Sequence, residues 1–437
     1  MITRIEVDGF KSLRGFALDL EPLTAVVGPN GAGKSNLLDA LHLLSRLAQT
    51  SVTEALKGGR GAIRDQFSRL RDGAAGRIKI SVEMLLRTYE YEGLPANWLE
   101  TRALYRVDLE RVVLSSGIED VTIGEQRVLA LGKLAADAWV ARHPALSPFA
   151  HYTAEGDNTG ESIFKLEGTR PATGQDSRVV RWYEGNREQE TCGLMGGPYQ
   201  SLLASVISGD TLFARIAEEI RAIHIVQFEP SKLRLSSDRA AGPVLAADGA
   251  NLPTALAALA PEARAQIRAD LAELIPGFRS FEVVPADEEL RLEVEFTDGA
   301  RVPARVLSDG TLRLIALLTL LRGSPPGALI AIEEPENGIY PGRLRALVDK
   351  LVDATTPRGD VLPPQVLLTS HSPAILAALH GRPESLVFAD LVRRGDDLRS
   401  TRMRHVRAGD GPERDPSTVS RREIERLLDA ARPEDEA

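Results

Sequence analysis

GPNGAGKS, which runs from Gly28 to Ser35, is the most informative segment of the chain. It matches the pattern G-x-x-x-x-G-K-[ST] and lies between an apolar run, Leu23 to Val27, and a segment with helical leucine spacing, Gly33 to Leu47. Glycines let such a loop turn its N–H groups towards phosphates, and the positive end of the following helix strengthens the same field. This context predicts a nucleotide-binding loop rather than a glycine-rich turn with a surface lysine.

The loop also predicts the first contacts with a nucleotide. We expect Lys34 to bridge the β- and γ-phosphates of ATP and Ser35 to hold Mg²⁺. The remaining predicted nucleotide-binding residues lie in the loop or in the first turn of the helix, and they are Asn30, Gly31, Gly33 and Asn36.

A pair of carboxylates follows a second apolar run, much later in the chain. Leu329 to Ile332 is typical of a buried parallel strand, and Glu333 and Glu334 come directly after it. Ligands of parallel α/β sheets bind at the carboxyl ends of the strands. We therefore expect Glu333 near Mg²⁺, through water, and Glu334 as the general base or the group that orients the attacking water. The alternative is two solvated carboxylates at a strand end.

Two further motifs flank this acidic strand. LSDGT, from Leu307 to Thr311, opens a segment with helical spacing, and His371 lies just after the next apolar run, Val366 to Thr369. Taken alone, Ser308 is typical of a helix N-cap, and a histidine at a strand end is usually structural. The order of phosphate loop, LSDGT, acidic pair and histidine favours one shared site over coincidence.

These motifs resemble those of the ATP-binding-cassette (ABC) ATPases, in particular the RecF, SMC and OLD group. The resemblance is carried by GFKSL (Gly9 to Leu13), GKSNL (Gly33 to Leu37), the LSDGT signature and EEPENGIYP (Glu333 to Pro341), in which Tyr340 stands where histidine is usual. It implies an α/β fold: a P-loop NTPase of ABC-ATPase type with a mixed or parallel central sheet, an antiparallel β subdomain and an α+β insertion.

Three parts of the chain follow from these patterns. We expect residues 1–90 to form the N-terminal part of the ATPase domain, with the phosphate loop, and residues 223–437 its C-terminal part, with the other motifs. Residues 91–222 are rich in period-two strand patterns and predict an α+β insertion. Strand–helix alternation at both ends predicts one core assembled from both ends of the chain.

The resemblance also implies a mechanism. In this family two subunits sandwich two ATP molecules, so Lys34 of one chain and Ser308 and Gly310 of the other would bind the same nucleotide in a homodimer.

The same resemblance assigns catalytic and metal-binding roles. The catalytic residues would be Glu334 and His371, which senses the γ-phosphate. Ser35 and Glu333 would hold the metal with a lid glutamine; Gln66 lies in the right region, although a plain surface-loop glutamine is an equal reading.

Composition limits the class of protein. The chain has 437 residues, 43% of them hydrophobic, and 53 Lys and Arg against 62 Asp and Glu give a net charge of −9. Its apolar content excludes wholesale disorder, and the single Cys192 permits no internal disulfide. No window approaches the roughly 18 apolar residues of a membrane span, and the start lacks the layout of a signal peptide. We therefore expect a cytoplasmic protein with no membrane partner.

DNA is a partner that the charges leave open. The acidic balance argues against coating nucleic acid by charge alone, but a basic stripe from Arg393 to Arg407 holds six arginines against two aspartates. A second basic patch lies between Lys57 and Arg71. Each patch is explained equally well as a solvated surface, so a DNA partner is implied mainly by the resemblance.

Three functions remain open at this point. The first is a dimeric, DNA-associated ATPase of repair or anti-phage defence that acts with a separate effector or nuclease, since we expect no TOPRIM nuclease of the OLD kind after His371. The second is a nucleotide-gated scaffold that regulates a protein effector without binding DNA. The third is a transporter ATPase subunit, which the form of the signature and the long insertion disfavour.

Overall fold

The computed structural model describes residues 1–71, 73–87, 101–117, 119–131, 137–150, 164–167, 178–184, 187–193, 199, 201–205, 212–393, 398–406, 418–420 and 424. The predicted domain boundary at residue 91 lies outside these ranges. The strands are β1 (Ile2–Asp8), β2 (Phe16–Asp19), β3 (Leu23–Val27), β4 (Arg69–Leu70), β5 (Gly73–Ala74), β6 (Arg77–Leu85), β7 (Arg102–Val113), β8 (Glu119–Ala130), β9 (Phe164–Glu167), β10 (Arg178–Glu184), β11 (Arg187–Gly193), β12 (His224–Val226), β13 (Ser237–Asp238), β14 (Phe278–Ala286), β15 (Glu289–Phe296), β16 (Arg301–Pro303), β17 (Leu329–Glu333), β18 (Gln365–Ser370), β19 (Leu386–Arg393), β20 (Arg399–Val406) and β21 (Thr418–Val419). The α-helices are α1 (Lys34–Leu47), α2 (Val52–Lys57), α3 (Ala138–Arg142), α4 (Leu202–Ser205), α5 (Leu212–Arg221), α6 (Pro230–Leu233), α7 (Leu252–Ala258), α8 (Pro261–Leu274), α9 (Asp309–Gly323), α10 (Pro341–Ala354) and α11 (Pro373–Ala378).

The central sheet joins the two ends of the chain. Its strand order is β12-β17-β18-β3-β19-β20-β21. The first five strands in this order, β12, β17, β18, β3 and β19, pair in parallel, whereas β19 and β20 are antiparallel. Strand β3 lies between β18 and β19, and all five of its residues are buried, as expected of an inner parallel strand. The prediction of one mixed α/β core assembled from both ends is confirmed.

A second, antiparallel sheet carries the middle of the chain. Its order is β11-β10-β9-β8-β7-β6-β1-β2, so β7 and β8 extend the sheet that β1, β2 and β6 begin. Helix α5 packs on α1, where Ile216 and Ile220 share a core with Leu37 and Leu41. Strands β7 and β8 and helix α5, which belong to the segment predicted as an insertion, thus share a sheet and a core with the N-terminal elements.

A smaller sheet supports the signature helix. It consists of β13, β15 and β14, with β16 paired to β15, and α7 and α8 pack against it. Every residue of α9 from Leu314 to Leu321 is buried, as is usual for a helix segment that is apolar all round. Within the described residues, no helix has both the length and the apolarity that crossing a membrane requires.

Asp270 ties three helices together beneath this sheet. Its side chain is 2% exposed on α8, and its carboxylate lies 3.2 Å from Arg322 on α9 and 3.1 Å from Lys350 on α10. A buried carboxylate with two cationic partners resists removal, because Arg322 would lose its counter-charge at a partly dry site, although Lys350 would keep its second partner, Glu273.

Asp270→Ala should therefore lower the free energy of unfolding by about 3 kcal/mol, as measured by urea denaturation. Asp353→Ala is the matched control, since Asp353 pairs with Arg358 on the surface. This substitution should change the free energy of unfolding by about 0.5 kcal/mol or less. Equal effects of the two substitutions would show that Asp270 does not anchor the helices.

Candidate functional site

The predicted phosphate loop joins the end of β3 to the start of α1, and glycines shape it. Gly31 and Gly33 have φ of 78° and 91°, in the left-handed region that favours glycine. Gly28 approaches β19 so closely that a Cβ atom would lie 2.3 Å from the carbonyl oxygen of Ala389. Asn30 and Gly31 are exposed at the tip of the loop. A side chain at Gly28 or Gly33 would displace the loop from its neighbours.

Lys34 is held inside this loop. The residue is 7% exposed, and Nζ donates to the carbonyl oxygens of Gly28 at 2.7 Å and Pro29 at 3.0 Å. Burial lowers the pKa of the Lys34 ammonium, while the carboxylates of Glu334, Glu336 and Glu333 act in the opposite sense. The loop carbonyls and the acids together hold a cation where phosphates would lie.

Ser35 and Glu333 meet although they are 298 positions apart. Ser35 Oγ, in the first turn of α1, donates a hydrogen bond to Glu333 Oε1 at the end of β17. Mg²⁺ takes oxygen ligands and usually binds one or two protein oxygens, with phosphate and water completing its shell. A hydroxyl in contact with a carboxylate fits that donor set, so these two residues would hold the metal.

Glu334 is fixed in both backbone and side chain. Its φ of 50° is left-handed, which costs a non-glycine residue roughly 1 kcal/mol, and its N–H donates to the carbonyl oxygen of Thr369 at 2.9 Å. The carboxylate accepts from Asn337 Nδ2 at 2.8 Å and lies 2.9 Å from His371 Nδ1. Burial raises the pKa of this carboxyl, but hydrogen bonds from Asn337 and His371 outweigh it, and the net pKa is lowered. Glu334 is therefore an oriented, ionised carboxylate.

The LSDGT segment contacts the loop that follows the acidic pair. Ser308 is exposed and caps α9 through its side chain. Gly310 packs against that loop, where a Cβ atom would lie 2.1 Å from the carbonyl oxygen of Gly338, and Arg313 donates to the carbonyl oxygen of Asn337 at 2.6 Å. In the described part of the chain, no hydrogen bond of Ser308 reaches the phosphate loop. The structure brings Gly310 and Arg313 to the Asn337 loop of the same chain, while the Ser308 side chain bonds within its own helix turn.

Parts of this sequence, and its fold, are similar to those of known proteins. A family model described as "AAA domain, putative AbiEii toxin, Type IV TA system" matches residues 224–377, and one described as "AAA ATPase domain" matches residues 1–79. The chain is similar to Structural maintenance of chromosomes protein 1 of Schizosaccharomyces pombe, with 33% identity over 126 residues, and to the OLD nuclease of Thermus scotoductus, with 50% identity over 44 residues. A solved SMC head bound to the C-winged helix domain of ScpA has the same fold, with a TM-score of 0.50 and 12% identity over 92% of this chain and 97% of that chain.

Together these findings support an ABC-type P-loop ATPase of the RecF/SMC/OLD group. The matches to the two curated relatives cover 26% and 10% of this ATPase, and they span only 10% and 8% of the relatives' own lengths.

Gln66, predicted as a metal ligand of this ATPase, has a different place in the structure. It is 1% exposed, and Nε2 donates to the carbonyl oxygen of Leu56 at the end of α2. The same amide supports Gly59, where a Cβ atom would lie 2.7 Å from it. A buried amide needs such a partner, and here the partner is the α2 loop rather than Ser35 or Glu333.

A second glutamine lies close to Glu333 at the edge of the central sheet. Gln227 directly follows β12, which pairs in parallel with β17, so Gln227 and Glu333 end at the same edge of the sheet. Gln227 lines a cleft of about 290 Å³ with both Glu333 and Glu334. The signal that could have identified it is its position immediately after a short apolar run, which is also the position of Glu333.

Asn36, predicted to contact nucleotide, belongs to a hydroxyl chain behind the loop. Its Nδ2 donates to Ser12 Oγ at 2.6 Å, Ser12 Oγ lies 2.6 Å from Thr401 Oγ1, and Thr401 donates to the carbonyl oxygen of Ala32 at 3.1 Å. A Cβ atom at Gly33 would lie 1.8 Å from Thr401 Oγ1. Sequence reasoning missed Ser12 and Thr401, because no local pattern shows that β20 lies beside the loop.

The basic stripe from Arg393 to Arg407 is partly paired with acid. Arg402 Nε lies 2.9 Å from Asp390 Oδ1, and Arg404 lies 3.3 Å from the same carboxylate. Strand β20 pairs with β19 from Arg399 to His405, and β21 pairs with it only at His405 and Val406. The other members of the stripe that lie outside the described residues are Arg394, Asp396, Asp397 and Arg407.

Asn337→Ala should raise the pKa of the Glu334 carboxyl, because it removes a hydrogen bond that stabilises the ionised form. If the carboxylate is the active form, the acid limb of kcat/KM for ATP, which reports the free enzyme, moves to higher pH. Asn337→Ser retains a donor and should keep the limb nearer its original position. An acid limb that stays in place or moves to lower pH in Asn337→Ala would contradict this role.

Proposed function

We propose that this ATPase binds Mg²⁺-ATP and hydrolyses it to ADP and phosphate. The observation that carries the proposal is the convergence of five side chains at the carboxyl ends of β3, β17 and β18. They comprise a cation, a hydroxyl, two acids and an imidazole, and they are Lys34, Ser35, Glu333, Glu334 and His371.

Binding would use the loop and the metal pair. The N–H groups of the loop and the Lys34 ammonium face the phosphates, as at other helix N-termini that follow glycine-rich loops. Ser35 and Glu333 would hold Mg²⁺, with Gln227 beside them. When bound, the metal neutralises charge that develops on the phosphates.

Hydrolysis would depend on Glu334. Its lowered pKa keeps it ionised near neutral pH, so it can orient the attacking water and accept the proton that the water loses. Asn337 and His371 hold the two carboxylate oxygens, which leaves the side chain little freedom to turn away. His371 would also meet the γ-phosphate from the end of β18.

We infer a homodimer that encloses two nucleotides. The exposed Ser308 is the N-cap of α9. The first N–H groups of a helix lack intrahelical acceptors, so this end of α9 favours an anion. Because Gly310 and Arg313 tie this helix to the loop of its own Glu334, a phosphate bound to Ser308 from a second subunit would act on that loop. The two sites would then be coupled through each subunit.

Glu334→Gln should slow ATP turnover at least about 100-fold, the scale of losing a general base, while the protein still binds ATP. The retained ATP should trap the dimer, which size-exclusion chromatography with light scattering detects.

The double variant Glu334→Gln/Ser308→Arg is the control for the trapped dimer. A bulky cation at the cap should block the second subunit and leave a monomer that still binds ATP. A monomeric Glu334→Gln protein with ATP, or an unchanged dimer in the double variant, would contradict the sandwich.

We propose that the dimer acts on DNA, in repair or anti-phage defence, together with a separately encoded effector or nuclease in the cytoplasm. Support comes from the relatives, one named for structural maintenance of chromosomes and one named a nuclease, and from the toxin–antitoxin wording of the matched family. The pairing of Arg402 and Arg404 with Asp390 favours the second candidate, a nucleotide-gated scaffold that does not bind DNA.

Double-stranded DNA should raise ATP turnover at low salt, and the stimulation should decline steeply as salt increases, because phosphate contacts release counterions. Steady-state ATPase assays across a salt series measure this stimulation. The double variant Arg402→Gln/Arg404→Gln tests whether the basic stripe from Arg393 to Arg407 contributes to it. Turnover and dimer lifetime that are unchanged by DNA at low salt would favour the scaffold.

A further inference from the structure

Arg60 reaches the predicted metal site from the second basic patch. Its NH2 lies 3.0 Å from Glu333 Oε2, and its Nε lies 3.3 Å from Asp39 Oδ1. The side chain is 54% exposed, whereas those of Glu333 and Asp39 are 22% and 10% exposed. The guanidinium therefore bridges two carboxylates that are themselves largely covered.

The loop that presents Arg60 is shaped for this contact. Arg60 is preceded by Gly59, which packs on the buried amide of Gln66, and followed by Gly61, whose φ of 90° is left-handed. Side chains at these two positions would displace the loop or strain it. The support that Gln66 gives to Gly59 thus contributes to the position of Arg60.

The charges alternate beyond Arg60. Asp39 lies four residues after Ser35 on α1, hence on the same helix face, and its second oxygen accepts from Lys11 Nζ at 2.6 Å. Lys11 is 13% exposed and has a left-handed φ of 46°. His42 and Arg46 of α1 are further ionisable groups near Asp39 and Arg60, and burial, together with Arg46 and Arg60, lowers the pKa of the His42 imidazole. The path to the metal site therefore runs from Lys11 through Asp39 and Arg60 to Glu333.

Glu333 divides its two oxygens between different donors. Oε1 accepts from Ser35 and Oε2 accepts from Arg60. A Ser35 hydroxyl can ligate Mg²⁺ through an oxygen lone pair and still donate its proton to Oε1. Oε2 meanwhile keeps its contact with Arg60. A guanidinium that stays paired with this carboxylate makes the electrostatic potential at the metal less negative, and so weakens the attraction for Mg²⁺.

We propose that Arg60 is a positioning residue of the metal site: it shares the Glu333 carboxylate with Mg²⁺, and Asp39 sets how strongly it does so. This proposal rests on the proposed Mg²⁺-ATP function. Asp39 draws Arg60 away from Glu333, and Lys11 moderates Asp39. The affinity for Mg²⁺ in the ATP complex is then set by a chain of four side chains, three of which contact neither the metal nor the nucleotide.

The test is the Mg²⁺ concentration that half-saturates ATP binding, measured by titrating Mg²⁺ into the full-length protein with a fluorescent ATP analogue. Arg60→Gln frees Glu333 and should lower that concentration about threefold, the size expected of a half-exposed ion pair. Asp39→Asn leaves Glu333 as the carboxylate that pairs with Arg60. It should raise the half-saturating Mg²⁺ concentration by a similar factor. Arg60→Lys keeps the charge and should stay close to the unaltered protein.

The double variant separates a relay from a simple charge effect. If Asp39 acts through Arg60, Asp39→Asn changes nothing further once Arg60→Gln is present. If Asp39 attracts Mg²⁺ directly, Asp39→Asn weakens binding equally in both backgrounds, and the proposal fails. Arg64→Gln, an exposed arginine of the same segment, is the matched control and should have no effect.

Two further measurements distinguish failure of this proposal from failure of the proposed function. Nucleotide binding in EDTA and the melting temperature should be the same for Arg60→Gln and the unaltered protein, because Arg60 acts on the metal. If the unaltered protein binds ATP with no dependence on Mg²⁺, the proposed function fails. If that dependence is present and Arg60→Gln leaves it unchanged, only the role of Arg60 is overturned.

Discussion

The parallel pairing of β3 between β18 and β19 is the interaction on which the rest of the structure depends. Backbone hydrogen bonds join Leu23–Val27 to strands from the far end of the chain, in a sheet layer where every residue of β3 is buried. Because parallel strands end at one edge, the pairing sets the loop of Lys34 beside Glu333 and His371. A one-residue slip would turn each β3 side chain to the wrong face and move the loop with it.

The site that forms at this edge is crowded with charge, and each charged group has a partner of its own. The Lys34 ammonium lies on loop carbonyls, and Glu333 accepts from Ser35 and Arg60. Glu334 has separate donors, one for each oxygen. A network satisfied in this way is oriented before any substrate arrives, which is how electrostatic stabilisation is obtained without reorganisation.

Much of the fold was accessible from local patterns. Helix α1 starts at Lys34 and ends at Leu47, as its leucine spacing predicts, and the apolar runs before Glu333 and His371 are strands of the central sheet. Periodicity reports which face of an element is buried, so it succeeds wherever burial follows a regular repeat. It gave no indication that residues beyond 100 continue the N-terminal sheet, since strand partners are chosen by contacts far apart in sequence.

The sequence by itself determined the phosphate loop, the acidic pair and the histidine, because each is a short motif attached to a strand or helix of clear periodicity. Only the tertiary structure decided which other residues join them. It placed Gln227 rather than Gln66 beside Glu333, and it brought Arg60 and Thr401 to the site from elements that no motif marks. Such neighbours depend on strand order and loop approach, which are set by packing across the whole chain and leave no local pattern to read.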